Sequence, residues 1–291
     1  MRDGENVMLQ LTVHTDIDTF LAAAGNDLAR DEVTNGLMLG VALRLKQDPS
    51  RFEHAPFLAT VHERDALVAV GMMTPPYGLL VYAAVDDPRP ALRLIAATLV
   101  AAQWPLPTVN GVAAVSQAFA EEWQALTDGA ITPLMALRVF ELRRVTPPSW
   151  PPGHLRLATD ADADLVMAWY DAFHDEAVPN AAAPRLPHVE RALAEGAIYL
   201  WEDGGRPVSL AAKGRRTPHG VSIGPVYTPP EWRGRGYASA CVAGLSQLIL
   251  DEGKDFCTLF TDLANPTSNH IYQQIGYRPV CDFAEYGLRA A

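Results

Sequence analysis

A chain of 291 residues with 49% hydrophobic and 20% charged side chains has the make-up of a globular protein with room for two ordinary domains, and no apolar run reaches the roughly 18 residues of a membrane span. Its formal net charge of −11 argues against nucleic acid as the main partner, since a polyanion is repelled by an acidic protein. Three cysteines, Cys241, Cys257 and Cys281, are odd in number and widely spaced in apolar segments; with no CxxC and no histidine pair at zinc spacing, they read as reduced core residues, and no metal site is expected. The N-terminus lacks the apolar core of a secretory signal, so a cytoplasmic location is expected.

In chain order, residues 11–13 are a short strand candidate, and Asp16 is placed to cap a helix over 17–24. A longer helical run over 35–46 carries Leu39 and Leu43 on one face and stops before Asp48-Pro49. Strands follow at 57–62, 66–73 and 79–85, separated by the polar Glu63-Arg64-Asp65 turn and the proline break at 74–78. The run 88–102 is apolar on nearly every side and predicts a buried helix. A strand near 109–115, a helix to about Leu126 and a strand near 135–142 complete this half.

The segment Thr146-Pro147-Pro148-Ser149-Trp150-Pro151-Pro152-Gly153 reads as a stiff linker, because proline removes donors and favours extended backbone; it places a domain boundary between residues 148 and 149. Leu155 and Leu157 mark a strand, and Leu165, Trp169 and Phe173 recur every fourth residue in a helix after Thr159-Asp160. A loop rich in Ala and Pro, a helix near 187–195 and a meander of strands at 197–202, 208–213 and 221–227 follow. Ala238, Cys241, Val242, Leu245, Leu248 and Ile249 then keep helical spacing until Gly253. A strand at 256–261, a helix at 266–275 and a closing strand at 280–288 end the chain. Both halves repeat one element order, which points to a duplication.

Chemistry concentrates in two stretches of the second half. Arg233-Gly234-Arg235-Gly236-Tyr237-Ala238 stands between an apolar strand and a helix: its glycines allow a tight turn that exposes N–H groups, and the helix adds its positive end. Six basic residues (Arg206, Lys213, Arg215, Arg216, Arg233, Arg235) face only Glu231 between positions 206 and 235, so the patch suits one small anion, a phosphate or pyrophosphate. Downstream, Asn265 as N-cap and Pro266 at the first helical position begin a helix that sets Asn265, Ser268, Asn269 and Tyr272 within about a 100° arc. Gly276 ends it and Tyr277 returns to the sheet.

These two blocks resemble the GNAT superfamily of N-acetyltransferases. Arg233, Gly236 and Ala238 match its pyrophosphate loop, and Asn265, Ser268, Tyr272, Gly276 and Tyr277 match its second motif, over roughly residues 154–288. The resemblance implies an α/β (α+β) chain of two GNAT-like lobes, 1–148 and 149–291, each with a mixed, mostly antiparallel central sheet flanked by helices. It implies acetyl-CoA as donor and an amine, on a small molecule, as acceptor. The backbone of Val226, Tyr227 and Thr228 then faces the pantetheine amides, Arg233, Gly234, Arg235, Gly236, Tyr237, Ala238 and Ser239 face the pyrophosphate, and Asn265, Ser268 and Asn269 line the pantetheine arm. Tyr272 stands near the sulfur as general acid.

The family often places a glutamate on the strand before the loop, but Val221-Ser222-Ile223-Gly224-Pro225-Val226 has no carboxylate, which leaves His219, Asp262, the cluster His174-Asp175-Glu176 or a water chain as base. In the first half the corresponding loop, Val85-Asp86-Asp87-Pro88-Arg89-Pro90, has no glycine and two carboxylates, so that lobe is expected to bind no CoA and to be structural, acceptor-shaping or the seat of a homodimer contact. A CoA-binding module without turnover is the alternative.

Overall fold

The computed structural model describes residues 8–177 and 186–290; the Ala/Pro-rich loop at 178–185 lies outside the described residues. The elements are β1 (Leu9–Val13), α1 (Ile17–Arg30), α2 (Glu32–Gln47), β2 (Phe57–Glu63), β3 (Ala66–Met73), β4 (Leu79–Ala83), α3 (Arg89–Ala101), β5 (Thr108–Val112), α4 (Ala113–Thr127), β6 (Ala130–Leu142), β7 (His154–Leu157), α5 (Ala163–Ala177), α6 (Leu186–Ala194), β8 (Ile198–Asp203), β9 (Arg206–Arg216), β10 (Gly220–Tyr227), α7 (Tyr237–Asp251), β11 (Phe256–Asp262), α8 (Pro266–Gln274) and β12 (Arg278–Arg289). The mixed α/β class with mostly antiparallel pairing is as expected. Two compact units form: one takes the chain up to Arg138 and again from Cys281, the other runs from Val139 to Val280.

In the first unit β1 to β4 pair antiparallel in sequence, β4 and β5 pair parallel, and β12 lies antiparallel to β5. Successive strand residues point to opposite faces, so Phe57 joins the core under α3 and α4 with Leu92, Ile95 and Phe119, whereas Leu58 joins the core under α1 and α2 with Phe20, Leu28 and Leu39. That is why β2 and β3 read as continuous apolar runs. Helix α1 continues to Arg30 rather than stopping at residue 24, because Phe20, Ala24 and Leu28 extend the buried stripe by i, i+4 steps past Gly25. Asp31 then accepts the Thr34 N–H at 3.1 Å, and α2 starts three residues earlier than its apolar pattern suggests. Val115 is helical, since α4 begins directly after Val112, and β4 stops at Ala83.

In the second unit β7 to β10 form the expected antiparallel meander, β11 runs parallel to β10, and the last residues of β6 lie beside β11. Helix α7 covers one face with Cys241, Leu245 and Ile249. On the other face Val166, Trp169 and Tyr170 of α5 meet Leu200, Leu210 and Tyr227. The proline stretch packs onto this unit: Trp150 stacks on Trp201, the Trp201 indole N–H donates to the Pro152 carbonyl at 3.0 Å, and the Thr146 N–H donates to Ile275 at 2.9 Å. The chain's last strand completes the first unit instead. Phe283 to Gly287 pair with Val112 to Thr108, and Arg138 clamps Asp282 in a bidentate pair at 2.7 and 2.9 Å.

Candidate active site

Strands β10 and β11 are paired only from Gly220 to Ser222 and from Phe256 to Thr258, although β10 runs on to Tyr227 and β11 to Asp262. The register of β10 against β9 also slips between Ile223 and Val226, a bulge that bends the strand. Past Ser222 the edge of β10 that faces away from β9 therefore has no strand partner among the described residues. Such an edge suits an extended ligand that carries amides of its own. Ser209 fixes the end of the strand, donating to the Tyr227 carbonyl at 3.2 Å and standing 2.8 Å from the Thr228 hydroxyl. The sequence carries no signal for that role of Ser209.

The basic loop follows at once. Gly234 and Gly236 have φ of 75° and 81°, in the left-handed region that suits glycine, and Gly236 occupies the N-cap of α7. The N–H groups of residues 234–239 have no acceptor among the described residues, and a Cβ at Gly234 would meet nothing within 4 Å. An open row of donors at a helix N-terminus is an anion cradle. Arg235 lies over the Trp232 ring at 5.0 Å. Tyr237 turns its side chain inward to Asp203, so only its backbone belongs to the cradle. Arg233 is engaged elsewhere: its Nε donates to the Thr228 carbonyl at 2.8 Å, and Nη2 donates to both oxygens of Glu176 at 2.7 and 3.0 Å.

Helix α8 follows the end of β11 that has parted from β10. Asn265 caps it, accepting the Ser268 N–H at 3.0 Å, with Pro266 at the first position, as its sequence predicts. Asn269 fastens this helix to the strand: its amide donates to the carbonyls of Asp262 (3.1 Å) and Asn265 (2.9 Å) and accepts from the Thr261 hydroxyl at 2.9 Å. Its hydrogen-bonding groups are thus largely used within the fold. One turn on, Tyr272 is buried and meets Tyr277 edge to face at 6.0 Å. Burial pushes the Tyr272 phenol up to about 12, and among the described residues its hydroxyl has no hydrogen-bond partner. The Tyr277 hydroxyl is 2.9 Å from Ser246 Oγ, inside the core.

The FR47-like family model matches residues 203–286, the stretch that holds the cradle and α8. No curated protein matches the chain. Among solved structures, a GCN5-related N-acetyltransferase from Sphaerobacter thermophilus is 17% identical with a TM-score of 0.62, over 97% of this chain and 95% of that one. An acetyltransferase of the GNAT family from Colwellia psychrerythraea is 10% identical with a TM-score of 0.59, over 97% and 100%. A tandem GNAT protein from the clavulanic acid biosynthesis pathway is 12% identical with a TM-score of 0.54, over 97% and 98%. The chain has the GNAT acetyltransferase fold. This likeness in fold covers nearly the whole length of the chain.

Within this GNAT fold the base candidates separate by position. His219 precedes the first residue of β10, at the paired end of the strands and away from the opening. Asp262 accepts the Ala264 N–H at 2.8 Å and shapes the turn into α8. Glu176, in the last turn of α5, holds Arg233. Cys241 and Cys257 are buried, which pushes their thiols up to about 12, and Cys281 belongs to the first unit. In the first unit's copy of the fold, α3 starts after Asp86-Asp87-Pro88, and the Arg89 N–H lies 3.4 Å from Asp87 Oδ1. Arg89 is paired with Glu121 and Glu122, and Arg93 with Glu122, so carboxylates of α4 already neutralise the cations at the start of this helix.

Proposed function

We propose that the second unit transfers an acetyl group from acetyl-CoA to a primary amine on a small molecule. Two adjoining openings support this reading: the unpaired edge of β10 past Ser222, and the row of free N–H groups at the start of α7 a few residues later. A pantetheine chain matches the first and a pyrophosphate the second. In this reading the backbone of Val226, Tyr227 and Thr228 pairs with the pantetheine amides, residues 234–239 hold the pyrophosphate through their N–H groups, and Asn265 and Ser268 border the arm.

The amine attacks the thioester carbonyl; the C–N bond forms, the C–S bond breaks, and the ammonium proton passes to water, since β10 carries no carboxylate from Val221 to Val226. N–H groups on the free edge of β10 stabilise the charge that develops on the carbonyl oxygen. Tyr272, kept neutral by burial, donates a hydrogen bond to the departing sulfur. Burial raises the Tyr272 phenol above its ordinary value, so it holds its proton firmly and serves the departing sulfur as a hydrogen-bond donor that stabilises charge.

Incubation of the full chain with acetyl-CoA and a panel of primary amines, with thiol release followed by a chromogenic disulfide, tests this. Release that depends on one class of amine is the expected result. The absence of a carboxylate on β10 favours one second reading, a CoA-binding module, and calorimetric binding of acetyl-CoA without release on any acceptor is its signature. Gly236→Asp introduces a side chain at a left-handed residue and a negative charge into the cradle; it should weaken acetyl-CoA binding at least tenfold. Unchanged affinity would remove the cradle from this reading.

A further inference from the structure

We propose that Trp150 is a stacking platform for the adenine ring of acetyl-CoA, at the outer side of the cradle. The inference rests on the acetyl-CoA reading above and extends it to the nucleotide end, for which neither sequence motif assigns a residue.

Trp150 stays 49% exposed, while its indole stacks on that of Trp201 with ring centroids 5.9 Å apart and planes 14° from parallel. Trp201 is itself buried and pinned by the hydrogen bond from its indole N–H to the Pro152 carbonyl. One face of Trp150 is therefore backed by a buried ring, while about half of the residue stays open to solvent. Pro148, Pro151 and Pro152 restrict the backbone around it, so little rotational freedom remains to be lost on binding.

The residues on either side of Trp150 reach the cradle. The Ser149 carbonyl oxygen and Pro151 Cδ both stand 4.0 Å from where a Cβ on Gly236 would sit. A ligand whose diphosphate rests on the N–H groups of residues 234–239 thus lies beside the Ser149–Pro151 backbone that carries this backed indole. The chemistry that fits a neutral, flat, half-exposed indole next to an anion site is a purine joined to a diphosphate, because every base offers a π face and stacking needs no hydrogen-bond match. Loss of such a stack lowers affinity by roughly 5- to 150-fold.

Calorimetry on the full chain with acetyl-CoA, S-acetylpantetheine and adenosine 3′,5′-bisphosphate tests it, with Trp150→Phe and Trp150→Leu as variants. Leucine should weaken acetyl-CoA about tenfold, phenylalanine should stay within about threefold of the parent, and S-acetylpantetheine should bind both variants as it binds the parent. The bisphosphate should quench tryptophan fluorescence in the parent and much less in Trp150→Leu. Equal acetyl-CoA affinity in the parent and Trp150→Leu overturns the platform, as does an equal loss for S-acetylpantetheine in a variant that melts at the parent's temperature, since the indole then does not act on the nucleotide end. If the parent binds no acetyl-CoA, the acetyl-CoA reading itself fails and takes the platform with it.

Discussion

Arg233 and Glu176 hold each other beside the cradle, with Nη2 of the arginine 2.7 and 3.0 Å from the two carboxylate oxygens. The first residue of the loop thus already carries an anion of the protein's own, supplied by the last turn of α5. Both side chains are nearly half exposed, at 47% and 48%, so the pair is worth at most about 1 kcal/mol. Glu176→Ala removes a charge that repels phosphate and frees the guanidinium. Acetyl-CoA should bind up to about fivefold more tightly, and the gain should shrink as salt is raised. Weaker binding in this variant would instead make Glu176 a support of the loop.

The two phenols of the edge-to-face pair are predicted to differ in kind. In the acetyl-transfer reading, Tyr272→Phe removes the donor proposed for the departing sulfur, so kcat should fall by roughly 10- to 100-fold with little change in KM. Tyr277→Phe removes the bond to Ser246 in the core and should cost about 1 kcal/mol of stability while leaving kcat nearly unchanged. An unaltered kcat in Tyr272→Phe would retire that tyrosine from the chemistry.

Stability on the acid side should depend on Asp162. The Arg156 guanidinium, 2.8 Å from each of its oxygens, holds this carboxyl well below the usual carboxylate range, and the Thr159 N–H adds a bond at 2.8 Å. A depressed folded-state pKa contributes stability above the ordinary value near 4 and loses it as pH falls toward the folded one. Asp162→Asn should therefore cost about 2 kcal/mol at pH 7, and its melting temperature should converge on the parent's as pH drops from about 4 toward 2. Parallel curves across that window would exclude the linkage.

One acetyl-CoA per chain is expected. The start of α3 has Asp86 and Asp87 before it, and the Arg89 and Arg93 beyond are neutralised by Glu121 and Glu122, so the first unit offers a phosphate little positive field. Titration of the full chain should give a stoichiometry near one, and a value of two would show that this loop binds despite its charge.

Much of the architecture is legible in local patterns. The meander of the second unit, the strand–loop–helix around Gly236, and α8 with Asn265 and Pro266 at its start all follow from periodicity, caps and turn residues, whose physics acts within a few positions. Helix α1 is underestimated because Gly25 and Asn26 weaken local propensity, while burial of Leu28, a tertiary term, carries the helix on to Arg30. Asn269 reads as a ligand on a polar face, yet its amide is used by Thr261, Asp262 and Asn265, a fit that appears only when β11 and α8 are brought together.

The sequence by itself determines the two motifs, the order of elements and the loss of positive charge at the first loop, because residue type and spacing alone set glycine turns, capping and local field. Only the tertiary structure decides that the last strand lies beside β5, since strand pairing is made by backbone groups that every residue shares. It alone decides that Arg233 spends its guanidinium on Glu176, and that the proline stretch folds back to set Trp150 on Trp201 beside Gly236. Those contacts join residues about fifty or more positions apart, and their partners are chosen by packing rather than by any local pattern.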